Sequence, residues 1–338
     1  MDSLTQIVLG AAVGEAVLGK KVGNKAILWG AIAGTIPDLD VLLKYVYSGD
    51  IVKINEMHRG FSHSIAFCLI MAPILGFLVS RIYKKKEATW KEWTWLMWWS
   101  LITHPLLDAH TTWGTQLFWP FDYKVSYNNI FIIDPIYTLP FLGFVIAAMF
   151  FRRDDRRRRI LNWTGIALST AYMALTLGFK GIAHRELTAE LVRQGISYER
   201  LSSKPTPLNS ILWMGTAESD SGYYVGYYSL LDKDDSIDFA FYPKKRQLYP
   251  ELMQAGKVKR LAKLSEGWFL LEKKEDMFLF YDLRFGQMSF GGPVNSFVFC
   301  YELRPGAEDV EVRQSEPRME NGKQVMMDLF TRIGGEGR

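Results

Sequence analysis

Cysteine is nearly absent from the 338 residues: only Cys68 and Cys300 occur, one inside an apolar run and the other in a polar stretch. No thiolate zinc motif can be built from them, and a disulfide between such different segments is not expected. Any metal would therefore be held by imidazole and carboxylate. Net charge is scarce as well. A formal +4 is too small to suggest nucleic acid as a partner. The opening residues, Met1-Asp2-Ser3-Leu4-Thr5-Gln6, lack the basic segment of a cleavable signal peptide. Lys20 and Lys21 follow the first apolar run instead of preceding it, so the first helix is expected to be retained. Internal repeats and low-complexity tracts are missing too.

What is present is unevenly distributed. A mean hydropathy of −0.01 averages two unlike halves. Nine of the eleven tryptophans and most long apolar runs precede residue 182, whereas the remainder reads as ordinary soluble protein. Six apolar stretches, roughly 4–19, 26–47, 61–83, 93–113, 130–151 and 160–182, are read as membrane spans, since a bilayer needs about 20 residues per helix. The first is short and contains Glu15. The fourth opens with Trp93, Trp95, Trp98 and Trp99, an interfacial aromatic belt. The fold expected is an α-helical polytopic membrane bundle over 1–182 followed by a soluble α+β domain over 183–338. In that domain the pattern predicts a helix over 184–195, a proline-containing linker over 202–207 and a helix near 250–263. Strands are predicted over 211–215, 223–231, 237–242, 268–272, 277–283 and 297–303, and the end, 321–338, is expected to be partly disordered.

Lysines and arginines orient the bundle. Lys20, Lys21 and Lys25, then Lys84, Lys85, Lys86 and Lys91, then Arg152, Arg153 and Arg156 to Arg159 occupy alternate loops, whereas the intervening loops hold only Lys53, Arg59 and Lys124. Basic loops stay in the cytoplasm. This predicts an N-terminus and a C-terminal domain on the extracytoplasmic side of the cytoplasmic, or inner, membrane.

Ionisable side chains inside spans are costly and mark a function by default. Here they are Asp38 and Asp40 after Pro37, His58 and His63 around Arg59, and His104 with Asp108; Asp2, His110 and Asp134 stand nearby in sequence. On the predicted topology all fall in the same leaflet, although that topology uses only lysine and arginine. His104 and Asp108 are four apart and share one helical face. Imidazole plus carboxylate suits divalent metal, zinc first and manganese or iron next, with ligands enough for one or two ions. Arg59 suits bidentate contact with a phosphate or other oxyanion, or else meets lipid headgroups. His110 is a ligand or an outer-surface residue. Asp134, before Pro135, is a ligand or a helix cap.

The motifs Pro37-Asp38-Leu39-Asp40, His58-Arg59-Gly60-Phe61-Ser62-His63-Ser64 and His104-Pro105-Leu106-Leu107-Asp108 resemble those of the LexA-regulated, membrane-bound metal-dependent hydrolases. The opening Met1-Asp2 and the downstream Thr111-Thr112, Gly114 and Pro120-Phe121 also match. Many relatives carry histidine after the N-terminal threonine, where this chain has Gln6. The family looks distantly similar to zinc-dependent phospholipase C and nuclease P1 enzymes, which implies a phosphoester substrate. The expected function is thus hydrolysis of a lipid-linked or membrane-proximal phosphoester, with membrane lipids as surroundings. Asp38, Asp40, His58, His63, His104 and Asp108 would hold metal, with Asp2, His110 and Asp134 as further candidates. Arg59 and Asp108 take the catalytic part, Arg59 steadying developing negative charge. The alternative is a transporter or metal-handling protein using the same cluster as an ion site.

Overall fold

The computed structural model describes all residues except 48, 84–86, 235, 291, 294, 295, 307, 308, 316–321, 337 and 338. Lys84, Lys85 and Lys86 of the second basic loop therefore lie outside the described residues. Two compact units result. The first comprises Met1–Leu42, Met57–Leu177 and Pro207–Asn209; the second comprises Leu43–Glu56, Gly178–Thr206 and Ser210–Arg338.

The first unit begins with a helical hairpin, α1 (Ser3–Val22) and α2 (Asn24–Thr35), joined by Gly23 in the left-handed region at φ 62°. Gly10 and Gly14 on α1 meet Gly30 and Gly34 on α2, two small-xxx-small pairs that bring the backbones into contact. A Cβ on Gly10 would lie 2.3 Å from the Gly30 carbonyl oxygen, and one on Gly14 would lie 2.3 Å from that of Ala26. A 3-10 helix, Pro37–Leu42, follows; the chain then passes through α3 (Leu43–Val46) and α4 (Ile51–Met57), which up to Glu56 belong to the second unit, and returns at Met57. A single 3-10 turn, Phe61–His63, leads into α5 (Ile65–Ile82). Helix α6 (Trp90–Asp108) starts at a capping box in which Thr89 and Glu92 satisfy each other's backbone N–H groups. Trp93, Leu96, Met97 and Leu101 of α6 pack with Cys68, Ala72 and Val79 of α5 in one core. Helices α7 (Pro135–Met149) and α8 (Arg156–Arg193) complete the set.

Among the described residues two helices, α5 and α8, are long and apolar enough to cross a membrane, and three if the bent pair Asn24–Thr35 and Pro37–Val46 counts as one broken span. The expected six spans are therefore not supported. Each expected stretch contains a helix, but α7 has only 15 residues. Helix α1 carries Glu15, Lys20 and Lys21, and α6 carries Lys91, Glu92, His104 and Asp108, which lower their hydropathy.

The second unit holds two antiparallel four-stranded sheets. One is β1 (Arg200–Pro205), β2 (Leu212–Glu218), β3 (Gly222–Ser229) and β4 (Ala240–Pro243); the other is β5 (Phe269–Lys274), β6 (Met277–Gln287), β7 (Phe297–Pro305) and β8 (Val310–Ser315). Leu212, Met214 and Val225 from the first sheet share a core with Leu270, Tyr281 and Phe297 from the second. Ala183 and Leu187 of α8 join Trp213 and Tyr228 in another buried cluster.

Several expectations need correction here. Residues 202–207 are no linker: Ser202, Ser203 and Lys204 pair with Thr216, Gly215 and Met214, and Pro205 is tolerated because β1 is an edge strand. The helix expected over 184–195 is the continuation of α8. The one near 250–263 is split into α9 (Pro250–Gln254) and α10 (Gly256–Leu264). Strand β8 had no counterpart in the sequence pattern. The expected disordered end instead contains α11 (Gly322–Ile333), whose buried Arg332 pairs with Asp232 at 2.5 Å and donates to the Tyr227 carbonyl at 2.8 Å.

Candidate metal centre

Four side chains from three segments converge at one end of the helical unit. Asp38 comes from the 3-10 helix after α2, His63 from the turn before α5, and His104 and Asp108 from the last turn and a half of α6. Each offers one donor atom, and the four donors lie within 4.8 Å of one another. His104 Nε2 is 3.1 Å from His63 Nε2 and 3.4 Å from Asp38 Oδ1. His63 Nε2 is 3.5 Å from both Asp38 Oδ1 and Asp108 Oδ2, and His104 Nε2 is 3.8 Å from Asp108 Oδ2. Metal–ligand bonds near 2.0–2.1 Å put the corners of a tetrahedron about 3.3–3.4 Å apart, so the spacing fits one small cation.

Proton placement supports the fit. His104 Nδ1 lies 2.5 Å from the Gly34 carbonyl, one of the last carbonyls of α2 and free of a helical partner. A carbonyl only accepts, so Nδ1 carries the hydrogen and Nε2 presents a lone pair to the cluster. Ser62 Oγ donates to Asp40 Oδ2 at 3.1 Å and therefore accepts from His63 Nδ1 at 2.9 Å. In the neutral ring His63 likewise presents its Nε2 lone pair to the cluster. Two imidazole lone pairs and two carboxylate oxygens then face one another, an arrangement a cation stabilises. Asp108 Oδ2 is buried with no hydrogen-bond partner among the described residues, an open acceptor aimed into the group.

Asp108 is held from several directions. Its Oδ1 accepts from the amine of Met1 and from Gln6 Nε2 at 2.9 Å. Gln6 thus supports the centre through its amide nitrogen rather than ligating through oxygen. Arg59 Nε lies 2.9 Å from Asp108 Oδ2 without hydrogen-bonding alignment, and its Nη1 donates to Thr111 Oγ1 at 2.7 Å. Arg59 is buried, so it points into the centre and not toward headgroups. Its backbone is left-handed at φ 59°, a conformation non-glycine residues hold only when their surroundings impose it. Asp40 imposes it: Oδ2 accepts from Arg59 N at 2.9 Å while Oδ1 meets His58 Nδ1 at 3.0 Å.

The remaining sequence candidates lie outside the group of four. Asp40 shapes the 58–63 turn, and His58, partly exposed, turns toward it and stands edge-on to Trp113 at 5.5 Å. His110 Nδ1 meets Asn129 Oδ1 at 2.8 Å. Asp2 caps α1, accepting from Thr5 N at 3.1 Å. Asp134 caps α7 through Ile136 N and Tyr137 N and accepts from the Tyr172 hydroxyl at 3.0 Å. Sequence reasoning gave no role to Ser62 or Thr111. Ser62 lies within the histidine motif, one residue from His63, and that adjacency was the available signal.

A match to a family of inner membrane proteins, described as YdjM, covers residues 1–187, more than half of the chain and all the residues of this centre. The chain belongs to the YdjM inner membrane protein family. No curated protein and no solved structure matches it. The YdjM portion ends within α8, so the two-sheet domain lies largely beyond it. Family and apolar helices together make this a membrane protein.

Proposed function

We propose that this YdjM protein is a metal-dependent hydrolase acting on a phosphoester in a lipid-linked or membrane-proximal substrate. The observation that carries the reading is the pair of imidazole Nε2 atoms at 3.1 Å, flanked by Asp38 Oδ1 and by Asp108 Oδ2, all four donors lying within 4.8 Å of one another. Asp38, His63, His104 and Asp108 would hold the ion, with zinc favoured by the near-tetrahedral spacing. A divalent ion there supplies Lewis acidity and eases deprotonation of water near neutral pH. Asp38 is the one member not fully buried, so substrate approaches from its side. Arg59 contributes a fixed positive charge beside the donors and stabilises negative charge that develops on phosphate oxygens. Asp40 and Thr111 keep that guanidinium in place.

Sidedness belongs to the same proposal. Helix α1 runs from the centre at Gln6 to Lys20 and Lys21. Helix α6 runs back from Glu92, which pairs with Lys21 at 2.8 Å, to Asp108. Basic residues collect at the cytoplasmic end of membrane proteins, which supports an extracytoplasmic position for the centre. The rival reading, an ion path, needs polar groups through the membrane's depth; backbone contact between Gly10 and Gly30 closes the α1–α2 interface instead.

The test is metal analysis of the full chain purified in detergent, together with hydrolysis of bis-p-nitrophenyl phosphate. Wild type should carry zinc, His63→Ala and Asp108→Asn should lose it, and Arg59→Lys should keep it while losing most activity. Protein with no bound metal, or with hydrolysis untouched by chelator, would overturn the reading.

A further inference from the structure

Helix α8 opens with Arg156, Arg157, Arg158 and Arg159 and has no acidic residue in its first turn. A helix N-terminus carries partial positive charge and favours anions, so four arginines there run against local electrostatics. Asp155, which accepts from Arg157 N at 2.8 Å, offsets only part of this. Local rules broken in this way point to a ligand or partner that compensates.

The arginines divide by role. Arg158 turns inward and is fully used: it binds both carboxylate oxygens of Glu15 at 2.7 and 2.6 Å, Asn24 Oδ1 at 2.7 Å and the Phe151 carbonyl at 3.0 Å. Glu15 is thereby neutralised. Arg156 and Arg159, three apart, sit on a common face with Trp163 four further on. All three line a cavity of about 380 Å³ whose opposite wall includes Lys20 and Lys21 at the end of α1. Lys21 is paired with Glu92 at 2.8 Å. Lys20, Arg156 and Arg159 form no ion pair or side-chain hydrogen bond with any described residue. The other acids of the lining, Asp154 and Asp155, lie 3.5 Å from Arg152 and Arg157. The cavity therefore keeps three uncommitted cations beside a helix N-terminus. Trp163, 53% exposed, stands on its rim at the start of an apolar spanning helix. Gln6 at the metal centre and Lys20 at this cavity are fourteen residues apart on α1, about 21 Å, so the two sites lie toward opposite ends of that helix.

We propose that this cavity binds the phosphate of an anionic phospholipid headgroup. Lys20, Arg156 and Arg159 contact the phosphate oxygens, the N-terminus of α8 adds its dipole, and Trp163 lies against the glycerol and upper acyl region. The metal centre plays no part in this inference.

The test uses the full chain in detergent, titrated with phosphatidylglycerol and with phosphatidylcholine and read by native mass spectrometry. Phosphatidylglycerol should bind at least about tenfold more tightly than phosphatidylcholine, and Arg156→Gln with Arg159→Gln should weaken it roughly 30-fold. Arg81→Gln with Lys91→Gln removes equal charge outside the cavity and should leave binding unchanged. These four side chains are exposed, so unaltered thermal unfolding is expected in both double variants. Equal binding of the two lipids, or equal loss in the two variants, would overturn the site. Complete displacement of lipid by millimolar inorganic phosphate would overturn the lipid assignment and leave the free anion as ligand.

Discussion

His63 and His104 present Nε2 to each other at 3.1 Å while each Nδ1 is already committed, to Ser62 Oγ at 2.9 Å and to the Gly34 carbonyl at 2.5 Å. With both rings neutral, two Nε2 lone pairs and two carboxylates meet there, a donor set that suits a cation. The centre is therefore built from its outer partners inward, and those partners are open to test.

Ser62→Ala removes the acceptor that fixes the His63 tautomer. Metal affinity should fall about 10–100-fold, the usual cost of losing such a partner, with folding intact. Competition against a fluorescent chelator measures it. Wild-type affinity in this variant would mean the tautomer is set elsewhere.

Gly30→Ala would place a methyl 2.2 Å from the Gly10 carbonyl oxygen. The overlap is with backbone, so α1 and α2 must separate, at a cost of about 1–3 kcal/mol. Gly34, on the same helix, holds His104, so weaker metal binding should accompany the loss of stability. Gly143→Ala on α7, with nothing within 4 Å of the added Cβ, is the control and should be neutral.

The Glu15–Arg158 pair is almost wholly buried, at 5% and 3% exposure. Glu15→Ala leaves an uncompensated guanidinium and should cost about 3–5 kcal/mol, whereas Glu15→Leu with Arg158→Leu should recover much of that. Thermal unfolding in detergent distinguishes the two. A double variant as unstable as the single would show that Arg158 matters through Asn24 and the Phe151 carbonyl instead.

Lys204 is buried on β1, its ammonium 3.3 Å from the Leu283 carbonyl, and burial pushes its pKa down from 10.5 to about 7. Above pH 7 the folded protein has released a proton that the unfolded chain keeps up to 10.5, so stability rises with pH in that interval. The slope reaches at most about 1.4 kcal/mol per pH unit. Burial of Cys300, which raises its thiol from 9.0 to about 12, opposes the trend above pH 9. Denaturant unfolding of the two-sheet domain, followed by its tryptophans, should therefore show rising stability from pH 7 to 9. Lys204→Met should flatten the profile; an unchanged slope would assign the effect to another group.

Much of this was open to reading in the chain itself. Asp38, His63, His104 and Asp108 stand out because ionisable groups are rare in apolar stretches, and His104 and Asp108 share a face through helical periodicity alone. The strands β2 to β7 show in their aromatic and β-branched runs. The glycines at 10, 14, 30 and 34 carry small-xxx-small spacing in the chain as well, but no close packing was expected from it. Spans were over-counted because apolar runs do not reveal where helices end: α2 stops at Thr35 and α7 at Met149. The β1 strand was hidden by Pro205, which is acceptable only because that strand lies at a sheet edge.

The sequence by itself determined which residues are available for chemistry, that they are imidazoles and carboxylates without thiolates, and that basic and acidic groups are segregated along the chain. These are properties of composition and short-range spacing. Which of nine candidates meet was decided only by tertiary structure. Asp40 and His58 are both closer to His63 in sequence than Asp38 is, yet hydrogen bonding turns them toward each other and leaves Asp38 for the centre. That choice depends on where the end of α2, the 58–63 turn and the last turn of α6 come to rest. Backbone contact between glycines and the Gly34 carbonyl set that position, and no local pattern says which segments they bring together.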